Sequence, residues 1–225
     1  MTPVVGLRGR SQFATYSARM PTDSARMSFR RHIREQVLRA TRELTIEKGW
    51  EQVRVSEVAE LVGVSRPTLY KEFGDKQGLG DALVVAEGQR FLEGIHAILA
   101  EHTGDVQGGI TAAVRFTLRE AEASPLLKSV LTSNHSGDDR AGAPTTTGVL
   151  PLLPTSASLL QLSSAALVAW FHDHFADLDS EDVEEVADVL VRLTVSHVVL
   201  PSADIATTGA RISRVALRYL GVGYR

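Results

Sequence analysis

The sequence predicts an all-α protein, with a three-helix helix-turn-helix unit at the front and a larger helical unit behind it. Three observations carry that expectation. From residue 29 onward, apolar residues recur every three or four positions. Glycines and capping residues punctuate these runs at helix length. No alternating stretch is long enough to read as a strand.

The chain has 225 residues, enough for one large domain or two small ones. It is 44% hydrophobic and 6% aromatic, and it has no cysteine, which excludes disulfides and thiolate metal sites. No apolar run approaches the roughly 18 residues of a membrane helix, and the front shows no apolar core of a secretory signal. A membrane partner is therefore not expected. The net charge of −3 conceals an asymmetry. Residues 1–90 carry 15 Lys+Arg against 11 Asp+Glu, whereas residues 91–225 carry 9 against 16. A basic front and an acidic rear fit an anionic partner at the front end, or a solvated basic arm.

Residues 1–28 contain Pro3, Gly6, Gly9 and Pro21 without a sustained period, and read as a disordered basic arm. Phe29, Ile33, Val37, Ala40 and Leu44 then form one helix face, which Gly49 ends. Ser56 is the expected N-cap of a second helix, with Val58, Ala59 and Val62 inward and Gly63 as its stop. Ser65 caps a third. Pro67 falls in its first turn, where the missing N–H has no intrahelical partner to lose. Leu69 and Phe73 face inward, leaving Arg66, Thr68, Tyr70 and Lys71 outside. Gly74 ends this helix and Asp75 caps the next. Two short helices joined by a glycine-containing turn, the second polar and basic outside, make a helix-turn-helix over residues 29–74.

Residues 75–225 read as helices over 75–101 and near 107–123, 125–134, 156–176, 180–200 and 208–220, with a polar loop at 133–148. In the fifth of these, Val183, Val186, Ala187, Leu190, Val191, Thr194 and Val198 form a stripe, and Val189, Leu193 and Val199 lie outside it. A helix apolar beyond one face needs more than one partner. No catalytic motif is present: HExxH, GxSxG and Walker A patterns are absent. His172 and His174, two residues apart on a helix, point about 200° apart and cannot share a metal. Neither an enzyme nor a metal or cofactor site is expected.

The stretch "FRRHIREQVLRATRELTIEKGWEQVRVSEVAELVGVSRPTLYKEFGDKQGL" resembles the DNA-binding domain of the TetR family of bacterial transcriptional repressors. The matching features are the helix closing on Gly49 before Trp50, then "VSEVAELVGVS", "TLYKEF" and Lys76. There are two departures. Thr45 stands where the family usually has phenylalanine, so Trp50 or Phe29 is expected to fill the volume. Glu72 stands where histidine or tyrosine is frequent. A carboxylate there repels phosphates unless it points away, pairs with Lys76, or reads a cytosine amino group.

Docked in a major groove, the third helix would offer Arg66 to a guanine edge and Thr68 to a thymine methyl or a phosphate. Tyr70 and Lys71 are placed on phosphates. Ser56 and Ser65 at helix starts, with Arg54 ahead of Ser56, suit further phosphate contact, and the resemblance adds Lys76. It also implies a homodimer on a palindromic double-stranded operator. The family's last two helices pack with their mates, which places Val186, Leu190, Leu193, Ile212, Val215 and Tyr219 at a dimer interface; the same residues also read as core of a single chain. The family's middle helices enclose a pocket for a small-molecule effector. Phe116, Leu126, Trp170, Phe171 and His174 are candidate lining residues, each equally readable as core, and the aliphatic composition suits an apolar or amphipathic effector. The expected protein is a ligand-responsive regulator, a repressor first, at the nucleoid in the bacterial cytoplasm. The alternative is a helical interaction module whose DNA binding is weak or lost.

Overall fold

The computed structural model describes residues 22–132 and 153–222. They form nine α-helices and one 3-10 turn, with no strand among the described residues. The front unit comprises α1 (Thr22–Lys48), the 3-10 turn Trp50–Gln52, α2 (Val55–Val62) and α3 (Arg66–Phe73). Behind it come α4 (Lys76–Ala100), α5 (Val106–Ala123), α6 (Pro125–Thr132), α7 (Leu153–His174), α8 (Ser180–Val199) and α9 (Ile205–Tyr219). No helix among the described residues is long and apolar enough to cross a membrane.

Four expectations need correction. α1 begins at Thr22, so residues 22–28 of the expected arm are helical, while residues 1–21 lie outside the described residues. Phe29 is 67% exposed, and the inner face of α1 starts at Ile33 instead. Ser56 does not cap α2: the helix starts at Val55 with Arg54 in the N-cap position and no side-chain cap, so Ser56 sits inside the first turn. α9 starts at Ile205 rather than 208, because Asp204 accepts the Thr207 N–H at 2.9 Å and caps it. The expected loop at 133–148 falls outside the described residues.

Two apolar cores result. Val37 and Leu44 of α1 meet Val53, Val58, Ala59, Leu69, Phe73 and Leu79 in the first. The second is built from α4 to α9, with α5 lying between α4 and α9 and α7 between α4 and α8. Trp50 and Leu38 pack against both cores. The Thr45 hydroxyl donates to the Thr41 carbonyl at 2.7 Å.

Close helix contact in the second core depends on glycine. A Cβ on Gly109 of α5 would lie 2.5 Å from the Trp170 ring, and one on Gly94 of α4 would lie 2.3 Å from Phe116. Phe116 in turn stacks on Phe91 with centroids 5.8 Å apart.

One charged group is buried where the two units join. The Glu87 carboxylate of α4 is 1% exposed. It accepts from Arg42 Nε of α1 at 2.8 Å, from Arg90 Nη2 at 3.0 Å and from Ser124 Oγ at 2.9 Å. Burial alone would push its pKa up; hydrogen bonds from Arg90, Arg42 and Ser124 outweigh burial and hold the carboxyl below the ordinary 4.5.

Two outcomes are expected. Gly109→Ala should destabilise the protein by about 1–2 kcal/mol, because overpacking against a ring outweighs the roughly 1 kcal/mol gained in helix propensity; thermal unfolding reads this as a drop of about 3–6 °C. Because the Glu87 pKa is depressed on folding, its contribution is complete above the unfolded-state value and is lost as pH falls through the folded-state value. The Tm of the native chain should therefore fall more steeply below about pH 4.5 than that of Glu87→Gln.

Candidate functional site

The outer face of α3 follows from its capping. Gly63 ends α2 in the left-handed region at φ 72°, and Val64 N–H donates to the Ala59 carbonyl at 2.9 Å. The chain then turns through Ser65, whose Oγ accepts the Thr68 N–H at 3.3 Å. Pro67 sits in the first turn. Leu69 (2% exposed) and Phe73 (9%) anchor α3 in the first core. That rotation leaves Ser65, Arg66, Thr68, Tyr70 and Lys71 exposed. Ser65 and Thr68 bond to each other through their hydroxyls at 2.8 Å. Neither Arg66 nor Lys71 is held in an ion pair among the described residues. Arg54 is exposed ahead of α2, and Ser56 is partly buried.

Two other predicted residues are already engaged. Lys76 Nζ donates to the Glu51 carbonyl at 3.0 Å and lies 5.1 Å from the Trp50 ring centroid. It ties the start of α4 to the 3-10 turn. Glu72 does not pair with Lys76. It accepts from Arg30 Nε at 2.5 Å and from Arg34 Nη1 at 3.2 Å, both on α1. Arg34 also lies over the Phe73 ring, 4.8 Å from its centroid. The one carboxylate on α3 is thus paired with two arginines of another helix. Lys48 braces α2 in a similar way, donating to Glu57 at 2.5 and 2.6 Å.

An apolar cavity of about 40 Å³ lies inside the second core. Phe91 and Ile95 of α4, Ile110 and Val114 of α5, Leu131 of α6, Leu160 and Leu167 of α7, and Leu190 of α8 line it. Its polar groups are Thr117, Ser163 and Thr194, and each hydroxyl donates to the carbonyl four residues back in its own helix. No charged side chain lines it. None of Phe116, Leu126, Trp170, Phe171 and His174 does so either. Phe116 and Trp170 pack on Gly94 and Gly109, Leu126 and Phe171 are buried core, and His174 is exposed with Nδ1 donating to the Trp170 carbonyl at 3.0 Å. The cavity shares Leu131, Leu160, Val191 and Val195 with an open groove between α7 and α8 that carries Glu184, Asp188 and Arg192.

A second apolar groove runs between α8 and α9. Val186, Leu190, Leu193, Ile212, Val215 and Tyr219 all line it, together with Val189. Val186, Leu190 and Ile212 are buried and form its floor, while Val189 (50% exposed), Val215 (53%) and Tyr219 (50%) form its rim. The Tyr219 hydroxyl donates to Glu185, and this bond pushes its pKa up to about 12. Among the described residues no cluster of His, Asp or Glu side chains is arranged to hold a metal ion.

Comparison with known proteins agrees with this architecture. Residues 37–83 match the model of the bacterial regulatory proteins of the tetR family, and residues 105–218 match that of the bacterial tetracyclin repressor C-terminal domain. The HTH-type transcriptional regulator AlkX of Mycobacterium tuberculosis is 30% identical over 184 residues, covering 80% of this chain and 82% of the relative. Among solved structures, the TetR family repressor AlkX from Dietzia sp., implicated in biodegradation of n-alkanes, superposes with a TM-score of 0.60 at 23% identity, covering 83% of this chain and 96% of that one. The regulator FadR from Bacillus subtilis, solved with stearoyl-CoA, superposes with a TM-score of 0.53 at 15% identity, covering 81% and 96%. With its front helices and its rear helices each matched, the chain belongs to the TetR family of bacterial transcriptional regulators.

Proposed function

We infer that the chain acts as a homodimeric, ligand-responsive repressor. Two copies of α3 read a palindromic operator, and a small apolar or amphipathic molecule releases it. The observation that carries this is the outer face of α3: exposed Arg66, Thr68, Tyr70 and Lys71 stand on a helix fixed by buried Leu69 and Phe73. Arg66 is assigned to a guanine edge, where it can bond O6 and N7 together. Lys71, Tyr70, Arg54, Ser56, Ser65, Thr68 and Lys76 are assigned mainly to the backbone. Lys76 would do so only by leaving the Glu51 carbonyl or by reaching past it. One short helix discriminates weakly, at about 1–3 kcal/mol per bidentate contact, so a second copy about 34–36 Å away is needed. The α8–α9 groove, with its floor buried and its apolar rim exposed, supports pairing there. DNA reading is assigned to α1–α3, effector binding and pairing to α4–α9, and the site of action is the nucleoid in the bacterial cytoplasm.

The cavity supports an apolar effector because its walls carry no charge and its hydroxyl protons are already used. One structural relative is implicated in biodegradation of n-alkanes and another was solved with stearoyl-CoA, and both agree with a ligand bearing a long hydrocarbon chain. At about 40 Å³ the cavity holds a few waters at most, so such a chain enters only by parting the helices. That is what lets it favour one state of the protein; a roughly hundredfold preference is worth about 2.7 kcal/mol.

Three outcomes test this reading. Arg66→Ala should weaken operator binding by about 1–3 kcal/mol and relax preference at one base pair per half-site, as read by anisotropy on single-base operator variants. Lys71→Ala should weaken all sequences alike and reduce the salt slope by about 1. Val215→Asp, on the groove rim, should shift the protein from dimer to monomer in ultracentrifugation at micromolar concentration while leaving its helix content unchanged. A native chain that sediments as a monomer under those conditions would remove the dimer.

A further inference from the structure

We propose that Glu87 is the positioning residue that fixes the DNA-reading unit on the effector unit, so that α1 follows any displacement of α4 or α6 around the cavity. The proposal rests on the reading of the two units above, but it concerns their mechanical joint and can fail independently.

Glu87 is where four elements meet. Arg42 brings α1, with Nε 2.8 Å from Oε2 and Nη2 3.4 Å from Oε1. Arg90, one turn along α4, adds bonds of 3.0 and 3.4 Å and reaches on to Glu120 of α5 at 3.0 Å. Ser124, which is fully buried, donates to Glu87 Oε1 at 2.9 Å and accepts the Leu127 N–H at 3.2 Å at the start of α6. The carboxylate therefore holds five donor contacts from three side chains. Among the described residues, Arg42–Glu87 is the only ion pair that joins α1–α3 to α4–α9 beyond the first turn of α4.

Both arms of this joint reach the cavity. Along α4, Phe91 and Ile95 follow Glu87 by one and two turns and stand in the cavity wall. Along α6, Leu127 and Val130 are fully buried and Leu131 is a wall residue. A chain-like molecule that wedges these walls apart must move α4, α6 or both. If Arg42 let go, the buried carboxylate would keep Arg90 and Ser124 but lose two of its five donor contacts and one of its two cations, which is unfavourable. The less costly response is for Arg42, and α1 with it, to stay attached. α1 carries Arg30 and Arg34, which hold Glu72 near the end of α3, so the displacement is delivered to the reading helix.

The test uses the absence of cysteine in the chain. Exposed Glu60 on α2 and exposed Asp173 on α7 are replaced by cysteine and spin-labelled, and labelled chains are diluted into excess unlabelled protein. The distance between the two labels is then measured by pulsed electron resonance, without DNA or ligand. In the native background a single narrow distribution is expected. Glu87→Gln and Arg42→Ala should each broaden it or shift its mean by at least about 2 Å, the scale on which packed elements slip between arrangements. Arg42→Lys, which keeps the charge, should restore most of the native width. The partly exposed Arg42 provides a second variant should Glu87→Gln fold poorly. If both variants lower Tm but leave the distribution as narrow as in the native chain, Glu87 is a structural ion pair only and the proposal is overturned, whatever the operator measurements show.

Discussion

A carboxylate almost out of reach of water, placed where α1, α4, α5 and α6 meet, constrains this molecule more than any other single group. Desolvating Glu87 is unfavourable unless Arg42, Arg90 and Ser124 all remain in place. The apolar contacts of Trp50 and Leu38 also cross between the two cores, but such contacts tolerate sliding. Directional bonds to a buried charge do not. One core closes around a short reading helix and the other around a small cavity, and hydrogen bonds to Glu87 join them.

The reading face reflects a related electrostatic problem. A negative side chain near the end of α3 would oppose phosphates, and the fold answers it with Arg30 and Arg34 of α1 rather than with Lys76 four residues along the chain. Lys76 is directed instead to the Glu51 carbonyl and the Trp50 ring. This leaves the loss-of-binding alternative without the one residue that favoured it, since Glu72 meets cations on its own chain. The same helix α1 thus serves both ends of the account, screening Glu72 at one point and gripping Glu87 at another.

Much of this was legible in the residues, and the boundary between what was and was not is physical. Caps and breakers act over three or four residues, so the turn at Gly63, the cap at Ser65, the place of Pro67 and the cap at Asp75 could be read locally. Ser56 misled because Arg54 already adopts extended backbone ahead of it. The α8–α9 surface was legible because an excess of apolar faces shows in the periodicity: on α8 the stripe with Val186 and Leu190 forms the floor, and Val189 outside it forms the rim. The cavity lining was not legible. Large aromatic residues drew attention, yet Phe116 and Trp170 are spent on Gly94 and Gly109, contacts between different helices that no local pattern shows. The cavity is instead walled by ordinary aliphatic side chains that no local pattern distinguishes. Leu190 lines both cavity and groove, so one side chain separates the two.

The central claim is that this chain reads a particular DNA sequence as a pair. The most direct measurement is selection of bound fragments from the source organism's own genomic DNA by the purified protein at near-physiological salt. The account predicts one or a few fragments sharing an inverted repeat, with half-site centres about one helical turn apart. Recovery of unrelated fragments that are lost on a modest rise in salt would contradict it, because non-specific charge attraction alone would then account for the basic front of the chain.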